Sequence, residues 1–243
     1  MLTAALAAAS TAACEVRTSV DVALAEDGSG TVTVAVALDD EALAQVPDVD
    51  DDGASGPADL AALVRTEDLV AAGWTVDDPT SGGGETVVRV TRPFGTPAEA
   101  QQILAGLTGP AGALRDLAVT RSASFGRTEL GFSGTIDLSG GLEAFGDEGL
   151  AAALDGEPLG EDAAAIEARI GRPLADAVTV EVTADLGGER QSWAPRLGDA
   201  PVDMAADRTV YDVPVLALTA VAVGAALALA VLLLVRRLRS PRP

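Results

Sequence analysis

From Val213 to Val235 the chain reads VPVLALTAVAVGAALALAVLLLV, 23 residues without a charge. As a helix rising about 1.5 Å per residue this run is about 35 Å long, enough to cross a hydrocarbon core of about 30 Å. It is read as a transmembrane helix, the alternative being a helix buried in a soluble core. RRLRSPRP follows at once, and the cluster Arg236, Arg237, Arg239 and Arg242 is of the kind retained in the cytoplasm. Tyr211 sits at the opposite interface, where an amphipathic ring is comfortable, and Pro214 lies near the entry, where a missing N–H costs little. Everything before Asp212 is therefore expected outside the plasma membrane, with residues 236–243 as a basic cytoplasmic tail.

An exported N-terminal region needs a signal, and MLTAALAAASTAAC has the apolar segment and small residues of one. It ends at Cys14, the chain's single cysteine. Leu, small, small is the usual run before an acylated bacterial cysteine; Ala12 and Ala13 fit it and Thr11 departs. Cys14 is the candidate lipidation site, with residues 1–13 as leader. An ordinary signal peptide cleaved nearby, or an uncleaved anchor with an inert thiol, are the alternatives. A diacylglyceryl group and the span together would hold the intervening domain close to one membrane.

The side-chain inventory removes most chemistry. One cysteine permits no internal disulfide, and the chain has no His, Lys or Asn. His-based triads, Ser–Lys dyads, Schiff bases and His or Cys metal sites therefore fall away, no spacing singles out a carboxylate pair, and the chain is expected not to be an enzyme or to carry a cofactor. Acidic residues number 37 against 16 arginines, four of which follow the span. So negative an exterior excludes nucleic acid as a natural partner. DVDDDGASGPAD places Asp48, Asp50 and Asp52 at positions 1, 3 and 5 of a calcium loop, Gly53 at 6 and Asp59 at 12. Position 12 is usually Glu, and Pro57 stiffens the loop, so a solvated acidic loop is the favoured reading and no metal is expected.

Between the ends, hydrophobic period alternates between two and 3.6. EVRTSVDVAL and GTVTVAVAL flank Asp27-Gly28-Ser29 as a hairpin. DDEALAQV suggests a short helix, and PADLAALVRTEDLVAAG a longer one starting at Pro57 and ending at Gly73. WTVDD and ETVVRVTRPF read as a second hairpin. TPAEAQQILAGL is a helix with Thr96 as N-cap, Pro97 at the first position and Glu99 completing a capping box. LRDLAVTRSASF and RTELGFSGTIDL make a third pair turning at Gly126. The alanine-rich section to Ile170 suggests one or two short helices, AVTVEVTADL a strand that rejoins the sheet, and the stretch around Trp193 a short strand. Residues 196–212 are expected as a juxtamembrane connector. The fold class is α+β: antiparallel strand pairs with helices packed on one face, in a domain spanning 14–195, plus the C-terminal span at 213–235.

Cys14, Asp27-Gly28-Ser29-Gly30-Thr31, Gly73-Trp74-Thr75-Val76, Arg92-Pro93-Phe94 and Gly134-Thr135-Ile136-Asp137-Leu138, in this order before a terminal span, resemble the LppM-type domain of actinobacterial lipoproteins. The resemblance covers roughly residues 14 to 212. It implies an extracytoplasmic, membrane-tethered α+β domain, for which binding of amphipathic lipids such as phosphatidylinositol mannosides, and a host interaction in a pathogenic member, have been proposed. It carries over no catalytic residues. The expected function is binding of an envelope lipid or lipoglycan; the alternative is a non-catalytic tether for an unknown protein partner. A lipid binder should hold an apolar cavity of roughly 300 Å³ or more between sheet and helices. Trp74 and Phe94, at strand ends, are either core residues or the mouth of such a pocket.

Overall fold

The structure is a computed structural model and describes residues 14–44, 66–107, 112–141 and 163–239. In chain order its first half holds β1 (Val16–Leu24), β2 (Gly30–Asp39), α1 (Asp40–Leu43), α2 (Thr66–Ala71), β3 (Thr75–Val76), β4 (Thr80–Gly82), β5 (Glu85–Phe94) and α3 (Pro97–Ala105). The second half holds β6 (Leu114–Ser124), β7 (Arg127–Ile136), α4 (Ala163–Ile170), α5 (Leu174–Ala177), β8 (Val178–Leu186), β9 (Glu189–Trp193), β10 (Val202–Tyr211) and α6 (Val213–Arg239). The fold is α+β, with strands mostly antiparallel.

Among the described residues the strands form two sheets. The larger has the order β3-β5-β2-β1-β8-β9, with β4 also on β5; the smaller is β10-β7-β6. β1 and β2 make the expected hairpin, Val20 opposite Val34 and Val22 opposite Val32. Its turn closes on Asp27, whose carboxylate accepts from the Ser29 N–H at 2.9 Å and hydroxyl at 2.6 Å. β8 rejoins the sheet beside β1 but runs parallel to it, Val16 opposite Val178. A parallel pair needs a long crossover, and the chain between β1 and β8 passes through the whole of the other hairpins before returning. α4 and α5 precede β8 directly; the rest of the alanine-rich section lies outside the described residues, as does the candidate calcium loop Asp48 to Asp59.

The expected connector at 196–212 is corrected. Val202–Tyr211 is a ten-residue strand paired antiparallel with β7 along its whole length, from Val202 opposite Ile136 to Tyr211 opposite Arg127. Its period was hidden because only Met204 and Ala206 are buried, while Asp203, Ala205 and Asp207 face out. The folded domain thus reaches Tyr211, and Asp212 alone separates it from α6.

The inner face of the large sheet supplies Val20, Val22 and Leu24 from β1, Val32 from β2, Phe94 from β5, and Val180, Val182, Ala184 and Leu186 from β8. Leu130, Phe132, Ile136 and Met204 of the small sheet pack into the same core. Phe132 also stacks on Trp193 of β9, with ring centroids 5.8 Å apart. α3 contributes Ala100, Ile103 and Leu104, and packs against β6, β2 and β5. It is held there by Gln101, whose Nε2 donates to the Leu117 carbonyl at 2.8 Å. Leu117 sits in a β-bulge: the β6–β7 register shifts between Arg115 and Ala118, and Asp116 takes φ 52°.

Candidate functional site: an apolar cavity beneath α2 and α3

The valine ladder of the large sheet extends beyond what the helices fill. On the core side, Val34 and Val36 of β2 lie opposite Val90 and Val88 of β5. Above them come the end of α2 and the outer turn of α3, and between floor and roof is a cavity of about 380 Å³. Leu69, Ala72 and Trp74 wall one side, Ile103, Gly106 and Leu107 the other. Ala72 and Gly106 contribute at most one side-chain carbon to these walls.

Trp74 is positioned by the way α2 ends. Gly73 takes φ 87°, its N–H donates to the Val70 carbonyl at 3.0 Å, and the Trp74 N–H donates to the Leu69 carbonyl at 3.0 Å. This is a Schellman ending, which brings the residue after the glycine back against the last helical turn. Trp74 thereby packs beside Leu69 and is only 8% exposed, so it is both a core residue and a cavity wall. Phe94 is core alone: its ring lies against Gly30, whose lack of a side chain admits it.

Two polar side chains border this apolar space, Arg92 and Gln102. The Arg92 guanidinium runs alongside Gly73, 3.8 Å from where a first side-chain carbon would stand. Among the described residues no carboxylate pairs with it. A cation and an amide beside a hydrocarbon-lined space suit a molecule with an apolar tail and a polar or anionic head.

Cys14 lies two residues before β1, half-buried against the cluster of Leu38, Ala42 and Val88, on which Val16, Val36 and Leu43 also pack. Its thiol is pushed above the usual value, first by burial and then by the Asp39 carboxylate. The Arg172 guanidinium donates to its main-chain carbonyl, fastening the chain's entry into the domain. Val36 and Val88 belong to both this cluster and the cavity floor, so the candidate acylation site adjoins the cavity's end of the sheet. Among the described residues no group of three or more His, Cys, Asp or Glu could hold a metal ion.

Of the residues singled out in the sequence, then, Trp74 is brought to the cavity and Phe94 is not. Sequence reading missed Val34, Val36, Val88, Val90, Ile103 and Leu107 as lining. The signal was there in part: Val32, Val34 and Val36 of β2 and Val88 and Val90 of β5 share one face, below helices rich in alanine and glycine.

α6 carries a run from Val213 to Leu233, 21 residues of mean hydropathy 2.6, long and apolar enough to cross a membrane and with none of its most apolar window buried against the domain. No family model matches the chain, and no curated protein matches it. Among solved structures, it is similar to the NMR structure of the folded domain of LppM from Mycobacterium tuberculosis. The identity is 13%, the TM-score 0.41, and the overlap covers 84% of this chain and 95% of that one.

Proposed function

We propose that this chain is a non-catalytic domain displayed outside the plasma membrane, which holds the hydrocarbon part of an amphipathic envelope lipid or lipoglycan. α6 is its membrane span, the basic C-terminal tail is cytoplasmic, and Cys14 is the residue acylated after removal of the leader. The observation that carries this reading is the cavity of about 380 Å³ between the valine floor and the two helices. Its size falls within the range of about 300 to 1,000 Å³ that small-molecule sites occupy. Each methylene buried there is worth about 0.8 kcal/mol, so a chain of ordinary acyl length repays the ordering of its own rotamers. Arg92 and Gln102 then meet the head group, one by charge and both by hydrogen-bond donation. A tether with no small ligand would leave this apolar recess facing water, a cost that a bound acyl chain removes.

Native mass spectrometry of the full-length protein from its own membrane tests the reading. The expected spectrum has a diacylglyceryl mass on Cys14 and a second, non-covalent lipid mass on the protein. Leu107→Trp, which fills the cavity with a ring, should remove the non-covalent mass while leaving the melting temperature equal or higher. Wild-type protein that carries no lipid beyond that on its cysteine, under conditions that preserve lipid on a control protein, would overturn the cavity's role.

A further inference from the structure

Outside α6, three large apolar side chains stand well exposed among the described residues, and two of them flank the place where β10 hands over to α6: Phe125, 71% exposed, and Tyr211, 58% exposed. Phe125 lies in the β6–β7 turn, next to Gly126. That turn is bound to the junction, because the Asp212 N–H donates to the Gly126 carbonyl at 3.0 Å. Asp212 in turn caps α6: its carboxylate accepts from the Val215 N–H at 3.1 Å, and its carbonyl from the Leu216 N–H at 3.0 Å. Leu216 presses on the turn so closely that a side chain at Gly126 would put its first carbon 2.7 Å from Leu216 Cδ2. The turn therefore lies level with the start of α6: a helical side chain leans toward the N-terminus, so the tip of Leu216 reaches back toward Asp212 and Val213.

We propose that the β6–β7 turn is a membrane-contacting tip, with the Phe125 ring inserted into the interfacial layer of the bilayer and Tyr211 beside it at headgroup level. The inference rests on the reading of α6 as a span. It follows because any depth that takes Val213 to Leu233 into hydrocarbon brings the start of α6, and the β6–β7 turn hydrogen-bonded beside it, to the boundary. Aromatic rings favour that layer, where their apolar body is desolvated and polar groups remain near water. The backbone at the tip can tolerate the position, since the Gly126 carbonyl is already hydrogen-bonded. With a one-residue link and a hydrogen-bonded turn alongside, the domain is seated on the lipid in one orientation and does not swing on a tether.

Nitroxide labelling of full-length protein tests this. In a Cys14→Ser background, single cysteines are placed by Phe125→Cys, Leu227→Cys within the span, and Ala205→Cys on the outer side of β10. The protein is reconstituted in vesicles of phosphatidylcholine and phosphatidylglycerol. Collision with oxygen is compared with collision with a water-soluble nickel chelate. The label at position 125 should resemble the one at 227 in being at least about threefold more accessible to oxygen than the label at 205, relative to nickel. Equal nickel access at 125 and 205, with 227 protected, overturns the inference and leaves the span standing. Nickel access at all three overturns both.

Discussion

A methyl group added at Gly30 would lie 1.9 Å from the Ala23 carbonyl oxygen and 2.5 Å from Phe94 Cζ. That single missing side chain lets the Phe94 ring close the end of the core, and so decides which of the two aromatic candidates remains for the cavity. Asp137 shows a different residue-level constraint. Its carboxylate accepts from the Ser139 hydroxyl at 2.5 Å and N–H at 3.1 Å, with the Arg115 guanidinium at 2.9 Å. Those two hydrogen bonds first, and the Arg115 charge after them, hold it below the usual carboxylate value. A folded-state pKa below the unfolded one contributes stability that is complete above the ordinary value of about 3.9 and is lost as pH falls through the lowered one. Asp185, held down by its hydrogen bond from Arg190, acts in the same sense. Asp137→Asn should therefore lower the melting temperature at neutral pH and flatten its fall below about pH 4. A parallel acid-side slope in mutant and wild type, measured by calorimetry, would remove Asp137 from the account. The Asp27 turn and the Thr96 cap were legible because each uses residues adjacent in sequence. Asp116 was not: its left-handed backbone belongs to the bulge that interrupts the β6–β7 ladder, which no local pattern records.

Among the elements, α3 bears most on the site, since it is a wall of the cavity. Thr96 accepts from the Glu99 N–H at 3.2 Å, and Glu99 reaches back to the Gly95 N–H at 2.7 Å. The capping box read from sequence is present, shifted by one residue on its return bond. Thr96→Ala should cost about 1 kcal/mol in urea unfolding with an unchanged m value. A loss of only a few tenths would mean that Gln101 and the core contacts alone hold the helix. The end of α2 was equally legible from Gly73. β10 was not, because a strand needs an apolar face to be seen, and this one buries only a methionine and an alanine. What makes it a strand is the ladder along β7, a partner more than sixty residues away in sequence.

At the level of the whole chain, one apolar helix and two sheets account for most of the described residues. The apolar run of α6 announced itself by length alone. The hairpins were visible through their turns, whereas the parallel pairing of β1 with β8 and the division into two sheets were not, since both depend on contacts between distant segments. The cavity follows from that division. The small sheet covers the β1–β8 side of the core, α3 covers the next strands, and the valines at the β2–β5 end are left beneath alanine and glycine. On the function proposed above, an acyl chain lies on those valines. The most direct test is photolabelling of the full-length protein in its own membrane with a phospholipid carrying a diazirine near the end of one acyl chain. Adducts should map both to α6 and to the peptides bearing Val88, Val90 and Leu107, and Leu107→Trp should abolish the second set alone. Labelling confined to α6 in the wild-type protein would contradict the claim.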